Sequence, residues 1–164
     1  MTRVPADQPL IPSVIDRLVD DEPDRQQEPV KSRNQVLREL KQSVRRDLEN
    51  LLNTRWRCAP LPPHLSELEL SLVNYGIPDI AGADLGSAEQ REEFRRTLEG
   101  AIRRFEPRFQ TVAVEVLENA EPGDRVLRFR INALLRVDPA PEPVVFRSAV
   151  EPATGSIEVE GASR

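Results

Sequence analysis

Few side chains in this 164-residue chain are suited to covalent chemistry, and their spacing argues against it. There is one histidine, His64, and one cysteine, Cys58. A Ser-His-Asp or Cys-His arrangement would have to use His64, which sits between Pro63 and Leu65. Pro60, Pro62 and Pro63 stiffen the chain between Cys58 and His64, and Cys58 reads as a small apolar filler. A single cysteine beside a single histidine excludes a Cys/His zinc site and an internal disulfide. The seven glycines form no phosphate-cradling loop and no dinucleotide fingerprint. Asp20, Asp21, Glu22 and Asp24 cluster, but in a stretch that reads as a linker rather than as a divalent-cation site.

Carboxylate chemistry is the remaining option. A glycosidase needs two carboxyls about 5–10 Å apart, one of them in apolar surroundings that favour its protonated form. Glu106, beside Phe105 and Phe109, has a plausible apolar setting. Its neighbour Arg108 opposes general-acid work, and no second carboxylate is obvious. The sequence therefore predicts no catalytic residue, no cofactor and no metal. Glu106-Pro107-Arg108 has a different interest. Pro107 rigidifies a junction, so Glu106 and Arg108 point in fixed directions at one corner of the fold. Two readings stand: a helix stop with an incidental ion pair, or a preset charged corner for a partner.

These residues need elements to position them. Leu37, Leu40, Val44, Leu48 and Leu51 recur at spacings of 3, 4, 4 and 3, which predicts a helix over 32–53 with Ser32 as its N-cap. Arg38, Lys41, Arg45, Asp47 and Glu49 read as its solvated face. Leu65, Leu68, Leu70, Leu72 and Val73 follow as buried candidates in a short helical or turn segment that stops at Tyr75-Gly76, before Pro78. Ser87 with Gln90 is a capping-box pattern. Phe94, Leu98, Ala101, Ile102 and Phe105 then give a second helix, which Pro107 ends near Phe105. Glu92 with Arg96 and Glu99 with Arg103 are i,i+4 pairs in the favourable direction.

After Pro107 the apolar period changes from helical to two. Val112, Val114 and Val116 alternate with Ala113 and Glu115, and Leu127, Phe129, Ile131, Ala133, Leu135 and Val137 alternate with Arg128, Arg130, Asn132 and Arg136. Further strands are expected over 144–150 and 156–160. The predicted class is α+β: two main helices plus a short N-terminal helix, packed on one face of a small, mainly antiparallel sheet of about three or four strands. The other face would show Glu115, Arg128, Arg130 and Arg147. Residues 1–30 read as a flexible segment holding a short helix at 13–19, with Val14, Ile15, Leu18 and Val19 as its apolar stripe. Residues 31–160 read as one domain and 161–164 as a tail.

Composition narrows the function classes. Lys+Arg is 23 against 28 for Asp+Glu, a net charge of −5, which argues against a general nucleic-acid binder. Lys31 and Lys41 are the only lysines, so arginine abundance reads partly as coding bias rather than as phosphate recognition. No stretch approaches the roughly 20 apolar residues of a membrane span, and Pro5, Asp7 and Pro9 interrupt any signal-peptide core. The expectation is a soluble cytoplasmic protein.

Four strings resemble one family when taken in order: SVIDRL at 13–18, LLNTR at 51–55, VNYGIPDI at 73–80 and RFEPRF at 104–109, followed by the strand meander. They are similar to the TssE family of type VI secretion baseplate subunits, itself similar to the lysozyme-like wedge proteins of contractile-phage baseplates. The resemblance covers roughly residues 13–160. It implies a non-enzymatic α+β domain in each wedge of a sixfold baseplate, among the wedge subunits TssF, TssG and TssK and against the sheath subunits TssB and TssC. It also implies a cytoplasmic place in a membrane-docked complex, without direct membrane insertion. In that family the Glu-Pro-Arg corner, here Glu106, Pro107 and Arg108, is associated with assembly and sheath initiation, and the domain resembles the strand-exchanging part of the sheath subunit. An edge with unpaired backbone groups, left by a short terminal strand, fits such a role. Arg128 and Arg130 are candidates to support that surface, and Ile15 and Leu18 to anchor on wedge neighbours. Two alternatives stay open: an anti-adaptor that binds a response regulator on the same fold, and a peptidoglycan hydrolase using Glu106.

Overall fold

The computed structural model describes residues 32–57, 62, 64–65, 67–80, 87–117, 126–138, 140–151 and 154–161, together with Leu18. Two long helices come first. Helix α1 (Arg33–Asn53) starts with a reciprocal capping box: the Ser32 hydroxyl accepts from the Gln35 N–H, and the Ser32 N–H donates to the Gln35 side chain at 2.8 Å. A single turn, α2 (Glu67–Leu70), leads into a 3-10 turn (Leu72–Asn74). Helix α3 (Ala88–Phe105) opens with a second capping box, built from Ser87 and Gln90. Each box satisfies backbone donors that a helix start leaves orphaned. The two i,i+4 pairs form on α3, Glu92 with Arg96 at 2.8 Å and Glu99 with Arg103 at 2.7 Å.

Four strands follow, β1 (Phe109–Leu117), β2 (Leu127–Leu135), β3 (Glu142–Val150) and β4 (Ile157–Gly161). They form one antiparallel sheet whose spatial order is the chain order. Alternation puts one residue in two on a buried face. Val114, Ile131 and Phe146 stand in one cross-strand row, Phe129, Ser148 and Val159 in the next. The apolar members of these rows share a core with Leu48 and Leu52 of α1 and Leu98 and Ile102 of α3. The sequence-based α+β reading holds for both helices and the sheet, while the short helix expected at 13–19 lies outside the described residues apart from Leu18.

Some expected core positions differ. Val36 rather than Leu37 closes the first turn of α1's apolar stripe, and Leu37 is only half-buried. Leu65, Leu72 and Val73 are exposed, Leu72 by 81%; Leu68 is half-buried and the side chain of Leu70 lies outside the described set. A four-residue helix and a three-residue turn are too short to present a continuous apolar face. The segment enters the core past its turn instead, through Ile77 and Ile80.

Gly76 makes that entry possible. Its φ of +112° reverses the chain so that Ile77 forms a parallel bridge with Arg55. The Ile77 N–H donates to the Thr54 carbonyl and the Trp56 N–H to the Ile77 carbonyl, each at 2.9 Å, while Trp56 Nε1 donates to the Gly76 carbonyl at 2.6 Å. A Cβ at position 76 would lie 2.3 Å from the Thr54 carbonyl oxygen.

Two stability outcomes are expected. Gly76→Ala combines a positive φ with a backbone collision and should cost about 2–4 kcal/mol in urea unfolding. Ser148→Ala should be neutral or stabilising by about 1 kcal/mol, because its buried hydroxyl finds no hydrogen-bond partner among the described residues.

Candidate functional site

The Glu106-Pro107-Arg108 corner is a dense polar arrangement near the core. Glu106 caps the C-terminus of α3, its N–H donating to the Ile102 carbonyl at 2.9 Å. The carboxylate folds inward and the residue is only 4% exposed. Arg108 grips it from the far side of the proline. Its Nε donates to Glu106 Oε1 at 2.7 Å, its backbone N–H to the same oxygen at 3.1 Å, and its Nη2 to Oε2. The guanidinium then reaches α1, where Nη2 donates to Asp47 Oδ2 at 2.6 Å and Nη1 to the Ser43 hydroxyl at 3.4 Å. The Arg108 carbonyl accepts from the Arg136 N–H at 2.8 Å, just after β2. One side chain and its carbonyl thus join α1, the end of α3, the start of β1 and the end of β2.

The electrostatics follow from that geometry. Burial pulls the Arg108 guanidinium down, but the hydrogen bonds and charges of Glu106 and then Asp47 outweigh it and hold the group above the ordinary arginine range. Arg108 is a fixed cation between two carboxylates. The second carboxylate near Glu106 is Asp47, and the Arg108 guanidinium is bonded to both. Both Glu106 oxygens are engaged by Arg108. Of the Cys-His pair, His64 is exposed and Cys58 lies outside the described residues. Asp20, Asp21, Glu22 and Asp24 also lie outside them.

Arg128 and Arg130 occupy a different place. They alternate with buried Phe129 and Ile131 and so point to the opposite face of the sheet. Arg130 stands opposite Glu115, with 3.6 Å between their charged groups, and opposite Arg147 on its other side, which in turn faces Glu160. Since Arg130 pairs at Glu115, six residues along β1 from Phe109, this ladder is on the order of 20 Å from the corner. The structure does not bring the two groups together. Leu18 is helical and 77% exposed; Ile15 lies outside the described residues.

The sheet edges hold groups that sequence reasoning missed. The Asn53 amide donates to the Ile157 carbonyl at 2.7 Å and accepts from the Ile157 N–H at 2.9 Å, as a neighbouring strand would. Arg45 Nη1 donates to the Val159 carbonyl at 2.9 Å. At the other edge, Arg103 Nη2 donates to the Val112 carbonyl at 3.0 Å, and Glu99 accepts from the Val114 N–H at 3.1 Å. The expected open edge of the terminal strand is therefore bonded to α1 at Ile157 and Val159. Arg45, Asp47 and Glu49 lie on the face expected to be solvated, yet Arg45 pairs with the strand and with Glu49, and Asp47 with Arg108. The signal available in sequence was weak: polar residues at i, i+4 and i+8 flanking an apolar stripe.

Tyr75 reports on the corner. Its ring meets Phe105 edge-on at 5.2 Å. Burial, then the negative charges of Asp47 and Glu106, raise its phenol above the ordinary value of 10.0. The folded state therefore favours the neutral phenol; that contribution to stability is intact below pH 10.0 and is lost as pH rises through the raised value. Tyr75 is the only tyrosine, so phenolate absorbance titrates it alone. The midpoint should lie above 10.0 in the native protein, fall in Asp47→Asn and return to 10.0 in denaturant.

Comparison with known proteins supplies the family. No curated protein matches the chain. Among solved structures, a chain of "The baseplate complex from the type VI secretion system" superimposes with a TM-score of 0.48 at 22% identity, covering 70% of this chain and 96% of that one. The profile of the family described as "Baseplate wedge protein gp25" matches residues 38–140, from the first turns of α1 to the end of β2 and beyond. With more than half its length matched, the chain belongs to the baseplate wedge protein gp25 family.

Proposed function

We propose that this baseplate wedge protein works in a type VI secretion machine as a non-enzymatic adaptor, linking the wedge subunits TssF, TssG and TssK to the sheath subunits TssB and TssC and helping to start sheath polymerisation. Family membership supports the baseplate role. The four strings that resemble TssE support the type VI setting, and three of them fall within the family match. The observation that carries the adaptor reading is the Arg108 knot: a buried ion pair fixes exposed Pro107 and the rim of Arg108 where helix α3 turns into β1. Specific polar networks of this kind hold a surface in one orientation, as an assembly contact needs.

The same reading assigns Ile15 and Leu18 as an anchor on wedge neighbours, through a helix at 13–19 on a flexible segment over 1–30. It takes 31–160 as one domain whose helices all cover the buried sheet face. Arg128 and Arg130 form a second contact face. It places the protein in the cytoplasm, within a membrane-docked complex and without nucleic acid. Support for the last point is the net charge of −5; among the described residues no helix is long and apolar enough to cross a membrane.

The test is co-purification with candidate wedge and sheath subunits, wild type beside Pro107→Ala and Arg108→Ala. Pro107→Ala leaves the ion pairs in place and should reduce recovery of the sheath subunits without shifting the thermal transition. Arg108→Ala strands buried Glu106 and should cost about 3–5 kcal/mol as well as sheath recovery. Full recovery with a folded Pro107→Ala protein would assign the corner to the fold alone.

A further inference from the structure

The strand residues that alternate with the core form a second face of the sheet, and its charges are sorted by strand. One row across that face reads Glu115, Arg130, Arg147, Glu160, and the next Leu117, Arg128, Ala149, Glu158. The arginines of these rows stand on the two central strands and the glutamates on the two outer ones. Arg130 and Arg147 are directly opposed, an arrangement that works against strand pairing, and Glu115 approaches Arg130 only to 3.6 Å. Glu115, Arg128, Arg147, Glu158 and Glu160 are exposed, so no described element covers the charged rows. On the other side of the Arg130 row the face turns apolar, first with half-buried Val145, then with half-buried Leu134 opposite exposed Pro143.

We propose that this face docks a partner's amphipathic helix, one with a stripe of carboxylates flanked on both sides by basic residues. The proposal rests on the reading of Arg128 and Arg130 as a second contact face and names what that face takes. Charge decides the occupant. A second copy laid face to face about a twofold along or across the strands sets arginine over arginine and glutamate over glutamate, which excludes it. A helix along the two central strands fits instead. Carboxylates at i and i+4 stand about 6 Å apart, close to the roughly 6.6 Å between successive rows of one sheet face, so one turn serves the Arg130 row and the next the Arg128 row. A carboxylate over Arg130 and Arg147 relieves their mutual repulsion and accepts from both. Lysines on the helix flanks then meet Glu115 on one side and Glu158 and Glu160 on the other. Aliphatic residues further along the helix cover Val145 and Leu134. Such a helix adds a layer to the sheet without using its edges.

The test uses the full chain with no sheath or wedge subunit, so its failure leaves the Arg108 corner and the adaptor reading standing. A labelled helical peptide with glutamate at i and i+4, leucine at i+8 and i+11 and lysine on both flanks is titrated by fluorescence anisotropy. The same peptide with its charges exchanged is the control. Wild type should bind the glutamate-stripe peptide at least about tenfold more tightly than the control, and the preference should fade with added salt. Arg130→Gln with Arg147→Gln should abolish the preference, while Arg38→Gln, on an exposed position of α1, should leave it intact. Arg130→Glu with Arg147→Glu should turn the preference toward the control peptide, a reversal that a purely structural role would not produce. Arg147→Gln alone should weaken binding without lowering the thermal midpoint, because it removes one of two opposed cations. Equal binding of the two peptides by wild type overturns the proposal. So does an unchanged preference in the folded double glutamine variant, or a fall in the thermal midpoint of Arg147→Gln that accounts for its weaker binding.

Discussion

An antiparallel meander laid out in chain order has two unpaired edges and apolar side chains that must be buried, and two helices serve both needs in this chain. Aromatics are only 4% of the residues, so the core is built from many small aliphatic contacts rather than a few large ones. Each helix carries an apolar stripe and, beside it, a polar flank. The stripes of α1 and α3 share a core with the buried strand residues, and the flanks reach the strand edges, Asn53 and Arg45 at β4 and Glu99 and Arg103 at β1. Covering the core and closing the edges are therefore one constraint. A helix rotated enough to spoil its apolar packing would also release the backbone groups it holds.

The Arg108 corner belongs to the same economy of elements, but its energetics are different. A buried ion pair gains little over an apolar replacement of the same shape, because both charges are stripped of water. Breaking one is costly, since the remaining charge stays buried. The corner therefore enforces a single geometry more than it adds stability. Arginine suits this better than lysine: its planar fork meets Glu106 and Asp47 at once while also touching Ser43. Pro107 between Glu106 and Arg108 restricts the backbone of the exposed junction that these ion pairs hold.

What could be read from the sequence is what repeats along it. The capping residues Ser87 and Gln90, the stripe from Leu40 to Leu51 and the alternation from Leu127 to Leu135 all announce themselves locally, and the structure has them. The misread positions have no such repeat. Leu72 and Val73 are apolar but sit in a turn with no face to bury, and what enters the core from that stretch is decided by Gly76 and its approach to Thr54. The polar contacts were harder still. Asp47 and Arg108 are 61 residues apart and Asn53 and Ile157 are 104 apart, so nothing in either neighbourhood marks the pair. Charged residues opposite an apolar stripe usually face water. Here the ones flanking the stripe, rather than opposite it, find strands.

The arrangement of α1 ties the two polar sites together. Val44, Leu48 and Leu52 run down its middle into the core. On one flank Ser43 and Asp47, one turn apart, hold Arg108 at the start of β1. On the other flank Arg45 and Asn53 hold β4, at the far side of the sheet. Three strand spacings separate those two strands, about 14 Å. A single rigid helix with a rise of about 1.5 Å per residue therefore sets the distance and the angle between corner and edge. Neither flank can shift alone, because the buried stripe between them allows rotation only at the expense of packing. Whatever engages the corner meets a helix already positioned by the edge, and the reverse holds equally.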